Sequence, residues 1–301
     1  MKKIFSYLVD YGKTVNRPAF LLSTAFTAVA IFINYRFNLN ANLYKLPEWG
    51  EFVGWYGVFL LSFGIGHLIH AAFSKTAAFG NRNFIFLLLL APSLFAWKMS
   101  ADIGYNFSPD RLENEYWNNV VYWPYKVAVV SSMLYLIHRY FHRDQSFYGL
   151  TAKGLELKPY LLMLLLMLPL IALASTQPDF LAMYPRFQKV EYLLQPDRGW
   201  HKLLYELSYG SDFFSIELFF RGFLVLAFAK YVGKDAILPM AIFYCTIHFG
   251  KPLGECISSY FGGMILGVIT YHTRSILGGF LVHVGIAWLM ELGGSIGKNL
   301  F

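Results

Sequence analysis

Nine largely apolar stretches, at 19–35, 52–73, 84–97, 120–137, 159–175, 202–229, 236–249, 257–272 and 276–292, leave this chain few ways to fold. A run of about 20 apolar residues is the length that crosses a bilayer as a helix, and nothing but helices or closed barrels can satisfy its backbone there. Charged residues make up 14% of the 301 residues and hydrophobic ones 56%, whereas soluble domains carry about a quarter charged. The expected fold is therefore all-α, a polytopic transmembrane helical bundle of eight or nine spans, the third and seventh stretches being short enough to be tilted or re-entrant. The same composition excludes a disordered chain, a collagen and a disulfide scaffold. The net charge of +7 does not point to nucleic acid, because the cations flank the spans and nowhere form a run dense enough to track phosphates.

Charge asymmetry orients the spans. Lys2, Lys3, Lys13 and Arg17, and again Arg139, Arg143, Lys153 and Lys158, mark one side of the membrane, while Asp102, Asp110, Glu113 and Glu115 mark the other. Positive-inside counting places the N-terminus in the cytoplasm, and short loops between compact spans suggest a bacterial inner membrane. Asp10 and Lys13 interrupt the first segment, which is read as uncleaved. No linker separates globular parts. The chain reads as one integrated membrane domain, with helices over 1–175, an extramembrane or interfacial segment at 176–201 bearing Pro178, Pro185, Pro196 and the Lys189/Glu191 charges, and a core at 202–301 that holds the unusual polar residues.

Ionisable groups within apolar spans cost several kcal/mol unless paired or wet, so each is a functional candidate. Glu217 and Arg221 in SIELFFRGF stand four apart in the order that favours an ion pair on one helical face. A buried structural pair explains them equally well. His248 closes FYCTIHFGKP where Gly250 and Pro252 end a helix, and His283 lies deep in the last span. A lone histidine in such a place is usually packing, but two of them beside a Glu/Arg pair in neighbouring spans point to a common polar site. Gly263 and Gly267 form a small-xxx-small pattern that packing alone accounts for.

Taken together, ELFFRGF, then Tyr244 four residues before His248, then GxxxG and a TRSI stretch leading to His283, resemble the CPBP family over about 205–292. These are intramembrane endopeptidases related to CAAX-processing enzymes and grouped with abortive-infection and bacteriocin-immunity proteins. The resemblance implies hydrolysis within the membrane of a membrane-associated peptide or protein, of which a prenylated CAAX tail is one option. It makes Glu217, Arg221, His248 and His283 the catalytic candidates and places Tyr244 at the substrate-binding aromatic position. A glutamate with a histidine would activate water, and the last-helix motif would stabilise the oxyanion.

Two positions depart from the family pattern. Ile216 stands where the first motif has its leading glutamate, and Ala287 where the third has asparagine. Asp212, four residues before Ile216, and Glu291, four after Ala287, share those faces at about 100° per residue and are candidate substitutes, although both could instead face headgroups. Glu206, eleven before Glu217, could line the same face. His67 and His70 have a spacing that can hold a metal but no complete ligand set, and the HExxH motif is absent. Zinc is accordingly not assigned and those histidines are read as packing. The competing function is a catalytically degenerate relative that acts as a membrane binding or assembly partner for another membrane protein. A transporter would also explain intramembrane charge, but would carry paired repeats that are not seen.

Overall fold

The computed structural model describes residues 2–74, 76–102, 104–191 and 198–300. In chain order the helices are α1 (Lys2–Thr14), α2 (Arg17–Phe37), α3 (Leu39–Leu43), α4 (Glu48–Phe73), α5 (Arg82–Ser100), α6 (Arg111–Phe141), α7 (Leu157–Ala174), α8 (Pro178–Met183), α9 (Gln188–Glu191), α10 (Arg198–Glu217), a π-helical segment (Leu218–Ala227), α11 (Ala229–Val232), α12 (Ile237–Thr246), α13 (Leu253–Thr273) and α14 (Leu277–Leu300). The fold is all-α, and the described residues include seven helices long and apolar enough to cross a membrane. They are α2, α4, α5, most of α6, α7, α13 and α14. The expected span 202–229 is divided between α10 and the π segment, and 236–249 is a ten-residue α12, so neither is one long apolar α-helix. Of the expected extramembrane segment 176–201, residues 192–197 and the Lys189 and Glu191 side chains lie outside the described residues.

Local chemistry sets the helix ends. The Asn16 side chain accepts from the Ala19 amide to start α2, with Pro18 in its first turn, and Asn81 accepts from the Asn83 and Phe84 amides to start α5. Asn38 and Arg274 adopt left-handed backbone (φ 52° and 56°) and close α2 and α13. The apolar surface that these helices leave uncovered is the membrane signature. On α7, Leu161, Leu165, Leu166, Leu170 and Leu173 are each at least 58% exposed, a leucine-lined face that only lipid makes favourable.

Two compact units make up the chain. The first comprises residues 1–101, 133–154 and 218–276. In it α4 packs on α5 and α12, and α13 packs on α1, α12 and the π segment. Its centre is aromatic: Phe59, Phe63, Phe95, Phe219, Phe220, Phe223, Phe228 and Phe243 are all nearly or fully buried, with edge-to-face contacts such as Phe95–Phe220 at 5.0 Å. Glycine admits close backbone approach here. A Cβ at Gly222 would stand 2.6 Å from the Tyr148 carbonyl oxygen, and one at Gly66 would stand 2.7 Å from the Pro239 Cα.

The second unit comprises residues 102–132, 155–217 and 277–301. There α14 packs along α7, α8 and α10. Its core joins Tyr116, Val120, Trp123, Phe187, Val190, Tyr205, Tyr209 and Ala287. The Tyr116 hydroxyl donates to the His201 carbonyl at 2.9 Å, which satisfies the polar end of a buried ring.

One buried group in the first unit makes stability depend on pH. His142, just past α6, is fully buried and shares a 3.1 Å hydrogen bond with the Tyr148 hydroxyl. Burial, reinforced by Lys230, pulls its pKa from 6.5 down to about 4. The unfolded chain therefore takes up a proton at higher pH than the folded one. This contribution to stability is complete above about 6.5 and is lost as pH falls towards 4. Asp235, held below the usual carboxylate range chiefly by the His70 ring 3.6 Å away, acts in the same direction, but only at pH values below that range. Thermal unfolding in detergent should therefore move to lower temperature between pH 7 and 5, by up to about 2 kcal/mol of stability and by less where water reaches the site. His142→Gln should flatten that interval, and an unchanged slope would contradict the assignment.

Candidate functional site

The sequence-derived candidates fall into two groups, one in each unit, and each is built by its own helices. In the second unit α10 ends at Glu217, and the carboxylate is completely buried. Its Oε1 lies 3.0 Å from Nδ1 of His283 on α14. With the carboxylate ionised, Nδ1–H donates, which leaves the lone pair on His283 Nε2. The imidazole also packs against the Phe213 ring, centroids 4.5 Å apart, one α-turn before Glu217. Phe213 and Glu217 thus hold the histidine from a single helix face.

Space for this pair comes from Gly279, one turn before His283. A Cβ at Gly279 would lie 2.5 Å from Glu217 Oε2, well inside contact distance. Gly210 likewise lets α10 approach α14, since a Cβ there would meet the Trp288 ring at 3.1 Å. Neither Gly279 nor Phe213 stood out in the sequence. The available signal was that each precedes a candidate by four residues, one α-turn, and at Gly279 a glycine adds backbone clearance.

The candidate substitutes are engaged differently. Glu291 is buried, and both of its carboxylate oxygens accept from the Arg186 amide, at 3.0 and 2.8 Å, which ties α14 to the segment after α8. Asp212 Oδ1 accepts from the Ser215 hydroxyl at 3.2 Å. Ala287 lies in the aromatic cluster with Tyr205 and Tyr209, so the position following His283 by one turn is surrounded by apolar rings. The Glu206 carboxylate oxygens are buried without a hydrogen-bond partner among the described residues, while its carbonyl accepts from Trp288 Nε1 at 3.2 Å.

In the first unit the chain leaves α geometry immediately after Glu217. The 3.6-residue pitch behind the Glu217/Arg221 face arithmetic ends there, because Leu218–Ala227 is π-helical, a rare form that is frequent at functional sites. Arg221 is fully buried with its guanidinium carbon 4.1 Å above the Tyr244 ring centroid. Away from water such a cation–π contact is worth about 2 kcal/mol. The Tyr244 ring in turn meets the His248 ring edge-on at 4.7 Å. His248 Nδ1 is 2.9 Å from the Tyr244 carbonyl oxygen. A carbonyl can only accept, so Nδ1 carries the proton in this contact. Gly263 gives Tyr244 its room, since a Cβ there would stand 2.8 Å from the ring.

His67 and His70 are buried in the first unit. His67 is enclosed by Phe63, Phe84 and Phe228, with ring centroids at 4.6, 5.3 and 5.6 Å, and His70 meets Asp235. Among the described residues no three His, Cys, Asp or Glu side chains are grouped to hold a metal ion.

Comparison with known proteins adds one match. Residues 212–289, which contain Asp212, Glu217, Arg221, Tyr244, His248 and His283, match the family model of the type II CAAX prenyl endopeptidase Rce1-like proteins. No curated protein and no solved structure matches the chain. The match and the apolar helices together support a CAAX-type, intramembrane protease-like function and a membrane-associated substrate. The chain is thus an all-helical integral membrane protein whose segment 212–289 matches the Rce1-like family model.

Proposed function

We propose that this protein is an intramembrane endopeptidase that hydrolyses a peptide bond in a membrane-associated protein or peptide, with Glu217 and His283 as its water-activating pair. The observation that carries this reading is the 3.0 Å contact between the buried Glu217 carboxylate and His283 Nδ1, inside the matched segment. In the proposed step His283 Nε2 takes the proton of a water, whose oxygen attacks the scissile carbonyl. Glu217 keeps the imidazole in the reactive tautomer and stabilises the imidazolium that forms. The proton then passes from Nε2 to the leaving amine, so the histidine ends the cycle neutral. A carboxylate excluded from water makes this charge stabilisation stronger than it would be at a surface.

His248 is assigned a second acid–base role. Its support is its place in the matched segment and the Nδ1–H···O=C bond that orients its ring. Arg221 and Tyr244 are positioning residues in this scheme. They stack on one another, and Tyr244 supplies both the ring against His248 and the carbonyl that fixes its tautomer. Asp212 is proposed to supply the charge that Ile216 lacks. The N-terminus is assigned to the cytoplasmic side of a bacterial inner membrane, on the basis of the cations at Lys2, Lys3, Lys13 and Arg17.

The test is cleavage of membrane-anchored quenched peptides by the purified chain in detergent. His248→Ala is expected to lower the rate by about 10²–10⁴ while the protein remains folded by thermal unfolding. Unchanged cleavage would remove His248 from the mechanism. A parent without activity that gains it on Ile216→Glu would establish a retired protease in which Ile216 has replaced the base.

A further inference from the structure

The two cysteines of the chain, far apart in neither sequence nor space, have no part in the proposed chemistry. Cys245 is near the end of α12 and Cys256 in the first turns of α13, both fully buried in a cluster with Leu238, Ala241, Ile242, Phe249 and Tyr260. Their sulfurs are 3.9 Å apart, and the Cys245 thiol points at the Cys256 carbonyl at 3.3 Å. Between them lies the turn that carries His248, Gly250 and Pro252. Residue 245 directly follows Tyr244, whose carbonyl orients the His248 ring.

We propose that Cys245 and Cys256 are a dithiol–disulfide site whose oxidation fixes the His248 turn between α12 and α13. Closing the pair from 3.9 Å to a bond of about 2.05 Å moves the sulfurs by roughly 2 Å in all. The oxidant class is a small uncharged hydroperoxide, since both sulfurs are fully buried in apolar surroundings while Gly250, Leu253 and Gly254 between them are exposed. One thiolate attacks the peroxide oxygen and becomes a sulfenic acid, releasing one water after proton transfer. The second sulfur displaces the hydroxyl as a second water and forms the S–S bond. Two thiols lose two electrons and two protons, and one hydrogen peroxide becomes two waters.

The consequence is mechanical. A bond here closes a short loop whose members include the candidate histidine, and a closed loop opens less often than a free one. The inference is independent of peptide hydrolysis, because it concerns the sulfurs and the motion of the turn.

The full chain in detergent micelles, treated with hydrogen peroxide, tests it. Thiol alkylation after unfolding and peptide mapping should find a single intramolecular Cys245–Cys256 bond, with a mass lower by two hydrogens and restored by dithiothreitol. Amide exchange over 246–252 should slow by at least about tenfold in the oxidised form, equivalent to about 1.4 kcal/mol. Cys245→Ala and Cys256→Ala should each abolish both responses and leave the exchange of the untreated protein as it was. Thiols that stay alkylatable after peroxide in the folded chain would overturn the proposal. So would sulfinic acid at either cysteine in place of the bond, disulfide-linked dimers, or a bond that leaves turn exchange unchanged.

Discussion

Glu217→Gln is expected to slow peptide hydrolysis by about 10²–10⁴, the range for loss of an acid–base pair, while the folded bundle is retained. Glutamine keeps the shape and an oxygen that can accept from His283 Nδ1–H, but it removes the charge that would stabilise an imidazolium. The loss should therefore fall on kcat, with KM nearly unchanged, because no substrate contact is removed. His283→Gln should cost about as much. The double variant should be little worse than either single one, since partners acting as a unit lose the function once. A structural ion pair behaves otherwise. It would lower the unfolding temperature and leave the rate per folded molecule unchanged, and that result would end the proposed role of the pair.

Gly279→Ala is the second large effect, and its sign runs against helix propensity. In a helix interior Ala is more favourable than Gly by about 0.5–1 kcal/mol, and at Gly279, in the first turn of α14, an unobstructed substitution would bring at most part of that gain. Here the new methyl would start 2.5 Å from Glu217 Oε2, and the carboxylate would have to move by roughly 1 Å to restore contact distance. That displacement acts on the 3.0 Å bond to His283. Misplacement of a reacting group by about 1 Å costs about 10²-fold in rate, and overpacking adds about 1–3 kcal/mol of destabilisation. Gly262→Ala, where a Cβ meets nothing within 4 Å, is the control and should leave the rate unchanged. A Gly279→Ala enzyme working at the parent rate would mean that Glu217 need not lie against His283.

The candidate polar residues were legible because they are costly. Glu217, Arg221, His248 and His283 stand out of apolar stretches, and an ionisable group in a membrane span is retained only where something pairs with it or uses it. Their partners were not legible. His283 bonds to Glu217, 66 residues away, and no local rule connects α10 to α14. Glu291 shares the His283 stripe at helical spacing, yet its carboxylate is taken up by the Arg186 amide from a segment over a hundred residues earlier. Periodicity assigns a face, not the backbone that arrives at it.

Helical arithmetic also assumed a pitch. The i, i+4 relation of Glu217 and Arg221 presupposes 3.6 residues per turn, and the π segment that starts at Leu218 withdraws that assumption at the residue where it was needed. Nothing in LFFRGFLVLA announces a π-helix, because its residues form α-helices as readily. The Tyr148 backbone packs against Gly222 of this segment, a contact that no local pattern shows.

From the sequence alone follow the helical class, the membrane setting and the short roster of chemically expensive residues, because all three depend on local composition and on the cost of taking charge out of water. The tertiary structure alone decided that Glu217 meets His283, that Arg221 stacks on Tyr244, that Gly279 keeps room for a carboxylate and that Cys245 faces Cys256. Those are contacts between segments distant in the chain, or between helices joined by a turn, and their geometry is set by how whole helices pack.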